Sequence, residues 1–349
     1  MDFKQRLISW YSDNKRKLPW RSTKNPYFIW LSEIILQQTQ VKQGLPYYEA
    51  FIKQYPTIFD LANASEQDVL KLWQGLGYYS RARNLHSTAK HIAFDLDGKF
   101  PNNYKDLLKL KGVGDYTASA IASIAFNEVA AVVDGNVYRV LSRFFGIDTP
   151  INSTAGIKEF KTLASSLIDK EQPATFNQAI MEFGATQCKP KNPYCIVCPF
   201  NDRCVALQKN LVNELPVKLK KTKVTTKYFN FLVFIDNDKN TFLEKRIGKG
   251  IWQNLYQFPL IESEKSLKVD EFQKLNTEDT ILECTDFEYS LYNETDYVHK
   301  LSHQHLHTKF WIIEVDQLPQ SSIPINEVKK YPVPILIGNF IDAFNFQTT

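Results

Sequence analysis

Four of the five cysteines in this 349-residue chain fall between positions 188 and 204, and the fifth, Cys284, stands apart. Cys188, Cys195, Cys198 and Cys204 are separated by six, two and five residues. In a reducing compartment such crowding argues for metal rather than disulfides, because close thiolates gain most by sharing a soft metal centre. Zinc and an iron–sulfur cluster both accept four thiolates, and the chemistry leaves both open. Two carboxylates form a second candidate set. Glu33 lies in WLSEIILQQTQV, Trp30 to Val41. Read as one helix at about 100° per residue, this stretch puts Glu33 on a largely apolar face with Ile29, Trp30, Leu36, Gln37 and Gln40. Desolvation there raises a carboxyl pKa, which suits a group that must donate a proton near neutrality. Asp134 follows the apolar run AAVV and precedes VYRVLSRFF. It reads as a helix N-cap, and an anion tethered in that way is also rigidly aimed at whatever cation develops beside it.

The elements that must position these groups change character along the chain. From Phe3 to about Lys209 apolar residues recur at three- and four-residue spacing, as in VLKLWQGL, YTASAIASIAF and FNQAIMEFG, with turns at Asn25-Pro26, Gly98, Gly112-Val113-Gly114 and Asp134-Gly135. Beyond a basic stretch without an apolar period, LPVKLKKTKVTTK, the rhythm becomes alternation and short apolar runs such as YFNFLVFI and HTKFWIIEV. The reading is multidomain: an all-α domain over residues 1–214, a linker over 215–227 and an α+β domain over 228–349. Charge divides similarly, with 30 Lys and Arg against 20 Asp and Glu in residues 1–224 and 12 against 18 in residues 225–349. A basic first part suggests a polyanionic partner, because Lys and Arg bind phosphates by releasing condensed counterions. The N-terminus carries charges in every turn, and nowhere do eighteen apolar residues run together. The expectation is an intracellular, monomeric protein, cytoplasmic and nucleoid-associated if bacterial, without a membrane partner.

C-x6-C-x2-C-x5-C after a helical domain resembles the 4Fe–4S loop of the endonuclease III-like DNA glycosylases, which implies one 4Fe–4S cluster on Cys188, Cys195, Cys198 and Cys204. Lys189 and Lys191, between the first two ligands, would then meet DNA phosphates. Leu110-Lys111-Gly112-Val113-Gly114, twenty residues before Asp134, is similar to the helix-hairpin-helix of the same superfamily. Its glycines allow a tight turn whose N–H groups point at a phosphate, so Gly112 and Gly114 are DNA-binding candidates. Bifunctional members carry a lysine nucleophile where Tyr116 stands here, which implies a monofunctional enzyme. LPWR, NPY, SEIILQQTQV and GLGYYSRARNLH resemble adenine DNA glycosylases of the MutY type. That resemblance implies double-stranded DNA bearing adenine opposite 8-oxoguanine as substrate. It implies catalytic roles for Glu33, Asp134 and Tyr116, with Arg16, Trp20, Arg21, Leu36 and Asn136 around the base and sugar. Gln38, Thr39 and Tyr78 match intercalating and opposite-base positions, and Tyr79, Arg81 and Arg83 lie in the same stretch.

GIWQNLYQFPLIE and Leu301-Ser302-His303 resemble the MutT-like (Nudix-like) domain with which these enzymes recognise 8-oxoguanine, with Ser302 and His303 as its contacts. Relatives usually carry phenylalanine where Leu301 stands. Pyrophosphohydrolases of that fold need a glutamate-rich R-E-x-x-E-E helix for magnesium, and residues 225–349 hold none. His303, His305 and His307 are expected on one strand face, facing DNA, simply polar, or holding a metal. A thymine or uracil mismatch glycosylase of the same superfamily, and a non-catalytic iron–sulfur lesion-binding protein, stand as the rival readings.

Overall fold

A computed structural model describes residues 2–219, 224–272, 288–318 and 321–344; Cys284 lies outside them. The chain divides into two compact units, residues 1–63 with 83–220, and residues 64–82 with 221–349. Among the described residues no helix is long and apolar enough to cross a membrane.

The helices in chain order are α1 (Phe3–Asn14), α2 (Pro26–Ile35), α3 (Val41–Gln54), α4 (Ile58–Asn63), α5 (Glu66–Leu72), α6 (Ser80–Lys90), α7 (Tyr104–Leu107), α8 (Asp115–Phe126), α9 (Gly135–Phe145), α10 (Thr154–Leu167), α11 (Pro173–Thr186) and α12 (Val205–Gln208). Side-chain caps fix the starts of α1, α2, α5, α7, α9 and α10. Asp2 and Gln5 form a capping box, while Asn25, Ser65, Asn103, Asp134 and Ser153 each accept a backbone N–H at a helix start. The first unit is built around α8, whose residues Thr117 to Ile124 are all buried. Its alanines and serines let α2 and α11 approach closely, and α11 also packs against α1 and α9. Asn127, in the left-handed region at φ 59°, ends α8.

In the second unit β1 (Thr225–Asp236) is followed by the short β2 (Asn240–Thr241), β3 (Glu244–Lys245) and β4 (Tyr256–Gln257). Next come β5 (Leu260–Ser263), α13 (Val269–Phe272), β6 (Glu288–Leu291), β7 (Tyr297–Lys300), β8 (Gln304–Val315), β9 (Ile323–Pro324) and α14 (Ile335–Ala343). The main sheet runs β5-β1-β8-β6, with β7 also on β8. β1 and β8 are parallel over their whole length, from Thr225 opposite Gln304 to Asp236 opposite Val315. Both faces are covered. Phe310 stacks on Phe340 of α14 at 4.0 Å, and its neighbour Trp311 stacks on Phe272 of α13 at 4.0 Å. A strand covered on both sides is apolar at consecutive positions, which is why FLVFI is buried throughout instead of alternating. Residues from the first half of the chain belong here too. Asn254 donates to Glu66 at 2.7 Å, Tyr256 to Gln67 at 3.2 Å, Lys71 to the Tyr331 carbonyl at 3.2 Å, and the Tyr79 hydroxyl to the Val333 carbonyl at 3.4 Å.

Two local expectations are corrected, at Gln40 and at His303, and the Tyr78–Tyr79 pair sits in a turn. The helix bearing Glu33 stops at Ile35; Leu36 to Gln38 form a turn with Gln38 at φ 53°, so Gln40 is not on its face. Tyr78 and Tyr79 precede α6 in a turn made by Gly75 at φ 94° and Gly77 at φ 77°, with Tyr78 itself at φ 49°. That turn aims the two rings apart, leaving Tyr79 buried and Tyr78 exposed. His303 lies before β8, so only His305 and His307 share its face.

Candidate active site

Glu33, Tyr116 and Asp134 come from α2, the first turn of α8 and the start of α9, and all three line one cleft of about 160 Å³ in the first unit. Glu33 is 7% exposed, and burial raises its carboxyl to about 7. Hydrogen bonding from Tyr116 works against that rise, the charge of Asp134 adds to it, and Arg21 opposes it. The Tyr116 hydroxyl also reaches the Met181 sulfur at 3.1 Å.

Asp134 is the N-cap of α9. Its Oδ1 accepts the N–H groups of Asn136 and Val137, each at 2.9 Å, and its Oδ2 accepts Asn136 Nδ2 at 2.8 Å. Burial pushes its pKa up, and these three bonds together with Arg139 pull it back. Three donors on one carboxylate favour the anion and fix its orientation. These bonds make Asp134 the side-chain cap of α9 and fix the orientation of its carboxylate.

Arg16, Trp20, Arg21, Leu36, Thr39 and Asn136 line the same cleft. Trp20 is buried edge-on to Tyr48 at 5.0 Å. Gln38 is exposed on the turn after α2. Tyr78, Ser302 and His303 belong to the second unit. Tyr78 is held by a local frame in which Trp73 Nε1 donates to the Gly77 carbonyl at 3.0 Å and Arg81 donates to the same oxygen at 3.1 Å. Ser302 and His303 form the exposed tip of the β7–β8 hairpin, their side chains 3.4 Å apart, and Thr225 N–H anchors the His303 carbonyl at 3.1 Å.

Sequence reasoning missed Gln178 and Glu182, one turn apart on α11 and both in the cleft wall. Gln178 accepts the Tyr11 hydroxyl at 2.8 Å. Glu182 is 1% exposed; burial pushes its carboxyl up, but the hydrogen bonds of Arg16 and Arg21 more than reverse this and hold it at about 2. The signal available was a glutamate in the helical, mostly apolar FNQAIMEFG, with two arginines five residues apart in the basic RKLPWR.

The hairpin between α7 and α8 turns at Gly112, whose φ is 78° and at which a Cβ would meet Asn84 Cβ at 2.8 Å. Thr88 Oγ1 donates to the Lys111 carbonyl at 2.8 Å, and Gly114 caps α8. The cysteine loop is clamped from α9. Arg139 Nε donates to the Cys188 carbonyl at 2.7 Å, while Arg143 donates to the carbonyls of Lys189 at 2.7 Å and Pro190 at 3.1 Å. Lys189 and Lys191 are left exposed. All four cysteines border one apolar cavity of about 30 Å³, and burial raises the thiols of Cys195, Cys198 (to about 12) and Cys204. Buried thiols become thiolates only beside a strong countercharge, which a soft metal centre supplies. Among the described residues no three His, Cys, Asp or Glu groups converge on one ion position, His299 to His307 included. The four thiols face one cavity and form a donor set that fits a soft metal centre.

The HhH-GPD superfamily of base excision DNA repair proteins matches residues 31–163, and the NUDIX domain matches residues 230–343. The adenine DNA glycosylase of Buchnera aphidicola subsp. Baizongia pistaciae is 38% identical over 313 residues, 89% of this chain and 86% of that protein. The adenine DNA glycosylase of Mus musculus is 45% identical over 216 residues, 59% of this chain and 42% of its own. Among solved structures, a thermostable thymine-DNA glycosylase matches with a TM-score of 0.55 and 31% identity, over 59% of this chain and 95% of its own. An endonuclease III–DNA complex matches with a TM-score of 0.52 and 23% identity, over 60% of this chain and 99% of its own, a likeness of fold.

Proposed function

The chain belongs to the adenine DNA glycosylases of base excision repair, and from that premise we propose that it is a monomeric, monofunctional enzyme releasing adenine opposite 8-oxoguanine or guanine in duplex DNA. One observation carries the reading: a carboxyl buried to a pKa of about 7 shares a cleft with a carboxylate held by three donors. Adenine leaves its sugar slowly unless the ring is protonated. Glu33 delivers that proton to N7 of the extruded base, since at neutral pH it is about half protonated. The electron pair of the glycosidic bond departs with the protonated base, and positive charge grows at C1′. Asp134 stabilises that oxocarbenium-like centre before water adds to it. The Tyr116 hydroxyl hydrogen-bonds Glu33 and orients it. Among the described residues lining the cleft none is a lysine, in keeping with hydrolysis without strand cleavage.

Arg16, Trp20, Arg21, Leu36 and Asn136 enclose the base and sugar. Gln38, with Thr39 beside it, and Tyr78 enter the gap that extrusion leaves; the exposed left-handed backbone at Gln38 and Tyr78 supports this assignment. Gly112, Gly114, Lys189 and Lys191 take phosphates. Cys188, Cys195, Cys198 and Cys204 would hold a 4Fe–4S cluster, whose contribution is to brace the loop that carries the lysines. Ser302 and His303 read the oxidised base from their hairpin tip.

Duplexes bearing A opposite 8-oxoguanine, A opposite guanine and T opposite guanine test the reading directly. Adenine should be released from the first two, with strand breaks only after alkali. Thymine release at a comparable rate would move the chain to the mismatch class, and binding without release of any base would remove the catalytic roles. Glu33→Gln and Asp134→Asn should each bind the oxidised mispair and lose at least about a hundredfold in release. Ser302→Ala should narrow the preference for 8-oxoguanine over guanine more than it slows turnover, and an unchanged preference removes Ser302 from the site.

A further inference from the structure

Glu182 is one of the most deeply buried carboxylates in the first unit, and the cleft uses it for no chemistry of its own. Its Oε1 accepts the backbone N–H of Arg16 at 3.0 Å and Arg16 Nε at 2.7 Å. Its Oε2 accepts Arg16 Nη2 at 2.6 Å and Arg21 Nη2 at 2.7 Å. Arg21 Nη1 closes the set on the Arg16 carbonyl at 3.0 Å. One anion thus gathers both arginines of the cleft wall and fixes where their planes and charges lie. An ionised carboxylate in this setting is costly unless every lone pair is engaged, and here the pairing is nearly complete.

We propose that Glu182 is a positioning residue for base release: it anchors the Arg16 fork and the Arg21 guanidinium on the cleft wall and keeps the Arg21 charge from displacing the proton on Glu33. The groups facing Glu33 are Tyr116 from α8, Asp134 from the start of α9 and Arg21 from the turn before α2. Of these only Arg21 is a cation, and Glu182 on α11 is its partner. Tyr11 of α1 lies beneath the same pair, with the Arg21 guanidinium 5.6 Å from its ring centre. Removing the Glu182 charge leaves Arg21 without that partner beside a carboxyl that must stay protonated near neutrality. The inference rests on Glu33 being the acid.

The test uses the full chain and single-turnover adenine release from the A:8-oxoguanine duplex across about pH 5 to 9. In Glu182→Gln the high-pH limb should move down by about one pH unit, so that release near pH 8 falls about tenfold while release near pH 5.5 stays within about twofold. A Glu182→Gln/Arg21→Gln double variant should return the limb toward its original position. A limb that does not move, or an equal loss at every pH, overturns the proposal. If Glu182→Gln does not fold, Arg21→Gln reads the same coupling from the other side: its limb should rise, and a stationary limb overturns the proposal. Glu33→Gln run in parallel separates the two layers. Release that persists in Glu33→Gln removes the acid itself and the proposal with it. Loss in Glu33→Gln with an unmoved Glu182→Gln limb removes only the role of Glu182.

Discussion

Burial lifts the Glu33 carboxyl to about 7, whereas an exposed glutamate in the unfolded chain stays near 4.5. Between those values the folded state holds a proton that the unfolded state has lost, so this residue's contribution to stability is full below about pH 4.5 and falls as pH rises to about 7. The loss amounts to about 3 kcal/mol, because each tenfold change in proton affinity is worth about 1.4 kcal/mol. Glu33→Gln does not titrate. Its stability advantage over the natural chain should therefore be small near pH 4.5 and should grow to about 2–3 kcal/mol near pH 8 in urea unfolding. A difference independent of pH would mean that Glu33 is not desolvated. Glu182 has the opposite sign. Its carboxyl lies at about 2, so what it adds is present above about pH 4.5 and fades as pH falls toward 2.

At the scale of elements, the site depends on how closely α9 and α11 approach. A Cβ at Gly184 would stand 2.6 Å from Asn136 Cβ and 2.9 Å from the Asn136 carbonyl oxygen, and backbone cannot yield as a side-chain tip does. The same stretch is tied by Arg139, whose Nη2 donates to the carbonyl of Gly184 at 2.7 Å and to Asn136 Oδ1 at 2.8 Å. Gly184→Ala should cost about 1–3 kcal/mol and reduce adenine release at least about tenfold by shifting the cap that aims Asp134. Gly135 begins α9, and a Cβ there meets nothing within 4 Å, so Gly135→Ala should change stability by less than about 1 kcal/mol. Equal effects at the two glycines would show that the helix approach does not set the site.

At the scale of the whole molecule, the two units do not follow the order of the chain. Residues 64–82 lie in the unit formed mainly by residues after 220, and the partners of Glu66, Gln67, Lys71 and Tyr79 include Asn254, Tyr256, Tyr331 and Val333. A chain ended at residue 219 should therefore exchange the amides of α5 and of the turn bearing Tyr78 at least about tenfold faster, while α8 and α11 keep their protection. Unchanged exchange in residues 64–82 would mean that these bonds add nothing to local stability.

Local sequence determined much of this. Helix periodicity marked α8 and α9, a carboxylate before a helix marked the Asp134 cap, glycines marked the hairpin at Gly112, and spacing marked the four cysteines, because each signal depends only on residues close along the chain. The placement of Glu33 on a buried face was legible, but its neighbours were drawn from a helix that ends at Ile35 and not at Val41. Only tertiary structure decided that α2, α8 and α9 bring Glu33, Tyr116 and Asp134 to one cleft, that Glu182 gathers Arg16 and Arg21 there, and that residues 64–82 join the second unit. Those outcomes depend on pairings across tens to hundreds of residues, where burial and electrostatic partnership are set by packing that no local pattern encodes.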